Sequence, residues 1–253
     1  NQEEKKIDII KRQIDTATNI TEKTYRNIDK INNLFKYFRI MKIDTTIYDE
    51  DWKNSISYYS AANTALTSAM NRLDANLQDL AQEKALVALD NAEQSCKLTM
   101  VVLSDMVLQL KNLLKMGIDR ARTKYNEANS IYTSVNISLD EIDRLEIERS
   151  LYRINRLIIE SENYMNTLNV ENIDVYEFNI YYNSTKTAVI LSDDVIQKIK
   201  YLNHTEEESK RLIDETKLTI DKINETLSSV TKIISLQDDI DKYNRIIKQF
   251  MDC

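Results

Sequence analysis

The 253-residue sequence contains no proline and a single glycine, Gly117, where average usage would place about a dozen prolines and more glycines still. Proline removes a helix hydrogen bond, and glycine is entropically poor inside a helix, so losing both favours long uninterrupted helices. A sheet protein needs glycine in its tight hairpin turns, which one glycine cannot supply. The same scarcity excludes the glycine loops that cradle phosphates and dinucleotides. Histidine is nearly absent too. His204 is the one copy, so histidine-based zinc sites, Ser-His-Asp triads and paired Glu-x-x-His di-iron sites lack support. Its place before a Thr-x-x-Glu helix start reads as a surface or capping residue. The two cysteines, Cys96 and Cys253, are too sparse for a disulfide scaffold and form no Cys-x-x-Cys. Either they make one bridge from the C-terminus to a central helix, or they remain two thiols; the sequence leaves both open.

Positive charge is not in excess. A net charge of -7 argues against a general nucleic-acid binder, which needs a surplus of Lys and Arg to meet phosphates. No stretch reaches the roughly 18 apolar residues of a membrane span. The most apolar run, Leu98 to Ile118, is interrupted by Ser104, Asp105, Gln109, Lys111, Asn112 and Lys115. Paired carboxylates such as Asp238 and Asp239, or Glu206 to Glu208, diverge around a helix or sit in its first turn, where solvation and the dipole account for them. Neither an enzyme activity, a cofactor nor a bound metal is expected.

What is present is helical periodicity. Hydrophobic residues make up 42% and charged residues 30%, enough to fold one large domain spanning residues 1–253. Ile7, Ile10, Ile14, Ala17, Thr21, Thr24, Ile28, Ile31, Phe35 and Phe38 step by three and four, a sustained heptad seam with two threonines at its centre. The β-branched and acidic stretch from Arg39 to Asp51 breaks it, predicting a loop and a new helix start. Trp52, Ile56, Tyr59, Leu66, Ala69, Leu73, Leu77 and Leu80 form the next face. An alanine-rich stretch then leads into the apolar run, a span too long for one ordinary packed helix. A turn is therefore expected near Asp90 and Asn91 or near Gly117.

Three later starts carry capping pairs: Ser138 with Glu141, Asp174 with Glu177, and Thr205 with Glu208, in which the first side chain accepts from the third amide. The last helix has Ile213, Thr216, Ile220, Ile223, Leu227, Val230 and Ile234 in register. Its seam then slips to Leu236, Ile240, Tyr243, Ile247 and Phe250, a twist or a break near Ser235. Short connections make successive helices antiparallel neighbours. The expected fold is all-α: an elongated antiparallel bundle of five or six long helices with coiled-coil-like seams.

Fourteen tyrosines are the one residue type with interface character. Tyr176, Tyr181 and Tyr182 cluster near one helix start, and Trp52, Tyr58 and Tyr59 near another. Amphipathic aromatics give large contact area at low entropic cost, so these six are the candidate interface; the competing reading is that they line the core. Asn19, Asn136, Asn183, Asn203 and Asn224 each begin an N-x-[ST] acceptor signal. Five such matches barely exceed what a chain rich in Asn, Ser and Thr yields by chance.

Stretches such as Arg26-Asn-Ile-Asp-Lys-Ile-Asn-Asn33 and Thr219-Ile-Asp-Lys-Ile-Asn224, with Pro, Gly and Cys nearly absent, resemble the helical surface or secreted antigens of apicomplexan blood parasites of the piroplasm or malarial merozoite type. The resemblance is one of composition over the whole chain and carries over no functional residue. It implies a glycoprotein ectodomain, secreted or displayed at the cell surface, whose partner is a host cell-surface protein or an antibody. Any membrane attachment would come from an anchor, lipid included, beyond Cys253. Because the sequence begins at Asn1, a leader is expected to have been removed or the chain excised from a longer one. Two other classes compete: a helical pore-forming toxin component using residues 98–118 as its membrane-active element, and an intracellular coiled-coil scaffold. The sequence does not indicate an oligomeric state.

Overall fold

The computed structural model describes residues 2–135 and 139–251 of the chain. Five α-helices make up the fold: α1 (Gln2–Ile40), α2 (Asp49–Asp74), α3 (Gln78–Val135), α4 (Glu141–Thr167) and α5 (Val175–Met251). A short 3₁₀ turn, Thr46–Tyr48, leads into α2. No strand occurs among the described residues.

α3 is the spine. Its 58 residues extend about 87 Å at 1.5 Å per residue, and each of its halves is shared by a different pair of neighbours. The lower half packs against α1 and α2. Lys6 pairs with Asp79 and Asn27 donates to the Met100 sulfur, so α1 runs parallel to α3. The Ser95 hydroxyl donates to the Ser55 carbonyl at 2.7 Å, with α2 antiparallel between them in the chain. The upper half packs against α4 and the first part of α5. Arg122 donates to Asn155 and Glu162, and Lys124 pairs with Asp193. The molecule is thus two three-helix bundles placed end to end on one continuous helix. Successive helices are antiparallel, as short connections require.

The packing differs between the halves, and the sequence explains why. In the lower bundle α2 and α3 meet through Ala62, Ala65 and Ala69 against Ala81, Ala85, Ala88 and Ala92, all buried. Such small side chains bring the helix axes close, close enough for Ser95 to reach a backbone carbonyl across the interface. The heptad seam of α1 lies on this surface, with Thr21 and Thr24 buried at its centre. Their hydroxyls donate to Ala17 and Ile20 carbonyls one turn back, so neither buried threonine hydroxyl is left unpaired. Larger side chains fill the upper bundle: Leu103, Met106, Leu110, Leu114, Ile147, Ile154, Ile158 and Phe178 have almost no exposure.

With no glycine to end them, α1 and α2 stop on other residues. Lys42 and Asn76 adopt φ of 57° and 59°. The Ile43 amide bonds back to Phe38 and that of Lys42 to Arg39; Leu77 bonds to Arg72 and Asn76 to Leu73. Both are Schellman closures, which ordinarily place glycine at the left-handed position. Lysine pays a steric cost there through its Cβ. Lys42→Gly is therefore expected to stabilise the fold by about 1 kcal/mol, read as a rise in the chemical-denaturation midpoint at unchanged slope.

Three expectations about boundaries are corrected. The turn falls at Ala75–Leu77, not near Asp90 and Asn91 or Gly117, and α3 continues through both. The cap of α4 is Asp140, whose carboxylate accepts from the Asp143 amide at 2.8 Å; Ser138 lies outside the described residues. Thr205 starts no helix: its hydroxyl donates to the Tyr201 carbonyl inside α5. α5 also runs unbroken past Ser235. The Asp174 start is as read from sequence, with its carboxylate accepting from the Glu177 amide at 2.8 Å. Removing that cap with Asp174→Ala is expected to cost about 1 kcal/mol.

Candidate interaction surfaces

Where the two bundles meet, the C-terminal turns of α1 lie beside the α4–α5 connection and the start of α5. The connection is held by its own asparagines: the Glu171 and Asn172 amides donate to Asn169, and Asn172 donates to the Thr167 carbonyl. Lys30 of α1 clamps it from outside, donating to the Val170 and Glu171 carbonyls at 2.9 and 2.8 Å. Between these elements lies a groove of about 690 Å³. Leu34, Tyr37, Ile40, Met41, Ile173 and Tyr176 supply its apolar surface, and Asp29, Lys36 and Asp174 its charged edge. Ile40 and Tyr176 are 76% and 77% exposed, so two large apolar side chains stand in solvent on its rim.

The six aromatic candidates divide. Tyr181 stacks on Tyr164 with ring centroids 4.2 Å apart. Tyr182 stacks on the buried Phe178 at 6.0 Å and carries the Lys186 ammonium 4.3 Å from its ring centre. Trp52 meets Phe35 edge-on at 5.5 Å. These three are half-buried against the core. Tyr59 is also half-buried, stacked on the exposed Tyr25, whereas Tyr58 and Tyr176 are exposed. Tyr176 alone joins the groove. Ile40 and Met41 were not legible as partners of Tyr176, because the end of α1 and the start of α5 are joined there by no local pattern in the chain.

Asn19, Asn183, Asn203 and Asn224 are exposed and all lie on helices, while Asn136 lies outside the described residues. The signals at Asn19 and Asn183 end in buried threonines, Thr21 and Thr185. Cys96 is half-buried in mid-α3; Cys253, and with it any bridge between the two, lies outside the described residues. His204 is exposed within α5.

Among the described residues no group of three or more His, Cys, Asp and Glu could hold a metal ion, and no helix is long and apolar enough to cross a membrane. The shifted groups are structural. Burial raises the Tyr37, Tyr48 and Tyr164 phenols, with Tyr48 pushed up to about 12 by desolvation and then by the nearby Asp105 carboxylate. The Tyr48 and Tyr164 hydroxyls are buried with no hydrogen-bond partner, which accounts for the direction: an ionised phenol there would be uncompensated. Since the folded state holds these protons more tightly, the stability they confer is complete below the ordinary tyrosine range near 10. For Tyr48 it is lost as pH rises through about 12. Unfolding temperature is thus expected to fall steeply above about pH 10, less so in Tyr48→Phe, with the buried tyrosines' share of the phenolate absorbance appearing only as the chain unfolds.

Compared with protein-family models, with curated proteins and with solved structures, the chain matches none.

Proposed function

We propose that the protein is a non-enzymatic helical ectodomain, a surface or secreted antigen of the blood-parasite type, that binds a host cell-surface protein through the groove at its waist. The observation that carries this reading is the exposure of Tyr176 and Ile40 on the rim of an apolar groove with a charged edge. Interface hot spots have this form: aromatic anchors at a recess, surrounded by polar groups that exclude water once a partner is seated. The exposed asparagines of four N-x-[ST] signals are compatible with a secretory route. Residues 98–118 support the pore-forming alternative less well. Val102, Leu103, Met106, Val107, Leu110 and Leu114 are buried among α1, α2, α4 and α5, so membrane entry would dismantle the spine.

Fluorescently labelled protein is expected to bind host blood cells saturably. Tyr176→Ala with Ile40→Ser should weaken that binding roughly 30-fold or more, the effect of losing one hot spot of about 2 kcal/mol. The unfolding temperature should barely change, because both side chains are exposed. Equal binding by the variant would remove the groove from the account; no binding by the wild type would remove the host-binding reading.

A further inference from the structure

α5 outruns every helix it packs against. Lys198 pairs with Asp143 and Glu146 of α4, and among the described residues Leu202 is the last α5 side chain packed on the core. α3 ends at Val135, alongside this level. Beyond Leu202 the helix continues to Met251, about 49 residues or roughly 73 Å, and its described side chains are exposed except for the half-buried Glu206.

The seam of this free segment continues an interface the protein already uses. Counting in sevens from Phe178 gives Thr185, Ser192, Ile199, Glu206, Ile213, Ile220 and Leu227; counting from Tyr181 gives Ala188, Val195, Leu202, Ser209, Thr216, Ile223 and Val230. These are the two alternating rows of one heptad register. Up to Leu202 the two rows face the protein interior: Phe178, Thr185, Ala188, Ser192, Val195 and Ile199 are buried. Past it the same rows, without a phase shift, present Ile213, Ile220, Ile223, Leu227 and Val230 at 44–57% exposure.

The composition requires a partner. A lone helix is marginal in water, and most helical stability comes from packing an apolar face. This segment is rich in β-branched residues, with Ile213, Thr216, Thr219, Ile220, Ile223, Thr226, Val230 and Thr231 in nineteen positions, a poor composition for an unsupported helix.

We infer that the partner is a second copy of this chain, the two free segments of α5 pairing as a two-fold symmetric coiled coil. A two-fold contact needs a patch that complements itself, and this one does. Between residues 213 and 230 its rows carry only Ile, Leu, Val and Thr, which pack on themselves. Between residues 209 and 231 the flanking positions are Lys210, Leu212, Lys217, Thr219, Asn224, Thr226 and Thr231, so no carboxylate borders the seam and the lysines meet neutral side chains. The charges Asp214, Glu215, Asp221, Lys222 and Glu225 fall on the outer face. Rows and flanks between residues 209 and 231 give about 14 residues a side, fewer than the roughly 20–30 of a standard interface, so the apolar rows and not the area favour the pairing. The inference is independent of host binding at the groove.

Sedimentation equilibrium of the intact chain at micromolar concentration tests it. The wild type is expected at twice 29.6 kDa. Ile220→Asp with Leu227→Asp should raise the dimer dissociation constant at least 100-fold and give monomers, with the bundle's unfolding transition retained. Leu218→Asp is the control, because Leu218 is as exposed as the seam (58%) but lies on the outer face; it should remain dimeric. A monomeric wild type, or equal disruption by Leu218→Asp, would overturn the inference. So would a wild type that pairs only with a different protein.

Discussion

Phe178→Ala is expected to destabilise the protein by about 3–5 kcal/mol, the usual cost of emptying a buried phenylalanine site. Phe178 has no exposed surface. Its ring meets Tyr37 of α1 edge-on at 5.8 Å and stacks on Tyr182 at 6.0 Å, so it joins the upper bundle to the end of α1. The waist can collapse little around the vacated space, because the α4–α5 connection is fixed by Lys30 and its own asparagines. Domain stabilities are about 5–15 kcal/mol, so this one change removes a large share. Urea unfolding should show a lower midpoint with an unchanged slope. A loss under about 1 kcal/mol would mean that the waist is not packed as described.

Gly117→Ala separates two roles for the only glycine by the sign of its effect. Were Gly117 simply a helical residue facing solvent, alanine would stabilise the protein by about 1 kcal/mol through helix propensity. In the structure a Cβ at this position would lie 2.5 Å from the Thr185 Oγ1 of α5. That hydroxyl is not free to swing aside at no cost: Thr185 is buried and donates to the Tyr182 carbonyl at 2.7 Å. Overpacking should prevail, giving a net loss of about 1–3 kcal/mol. Thr185→Ala removes the obstructing atom, so the double variant should recover most of the loss and show a positive coupling in a double-mutant cycle. Additive effects would contradict the close approach of α3 and α5.

Gly117 also shows where reading the chain stops. As the sole glycine it is the natural candidate for a turn, yet its function is to let two helices touch, and Thr185 stands too far along the chain to be inferred. The heptad seam of α1 and the Asp174 cap were legible because their determinants lie within a few residues of one another. The end of α2 was not, because Asn76 takes the left-handed conformation in place of a glycine and the leucines around it continue a helical pattern. Likewise Thr205 and Glu208 have the spacing of a helix start but lie inside α5, where the hydroxyl bonds to the preceding turn. Of the candidate surface, Tyr176 was legible only as one of six aromatics grouped near helix starts. The wall of its groove formed by Leu34, Tyr37 and Ile40 comes from α1, and only the fold brings it there.

The account depends most on α3 running unbroken as the shared spine of both bundles. With the native cysteines replaced by serine, spin labels at Glu83→Cys and Asn126→Cys, both exposed on α3, report its length directly; dilution with unlabelled chain isolates the intramolecular distance. A continuous helix places the two positions about 65 Å apart. A hairpin at Asp90–Asn91 or at Gly117 would bring them within about 45 Å, and that result would contradict the architecture.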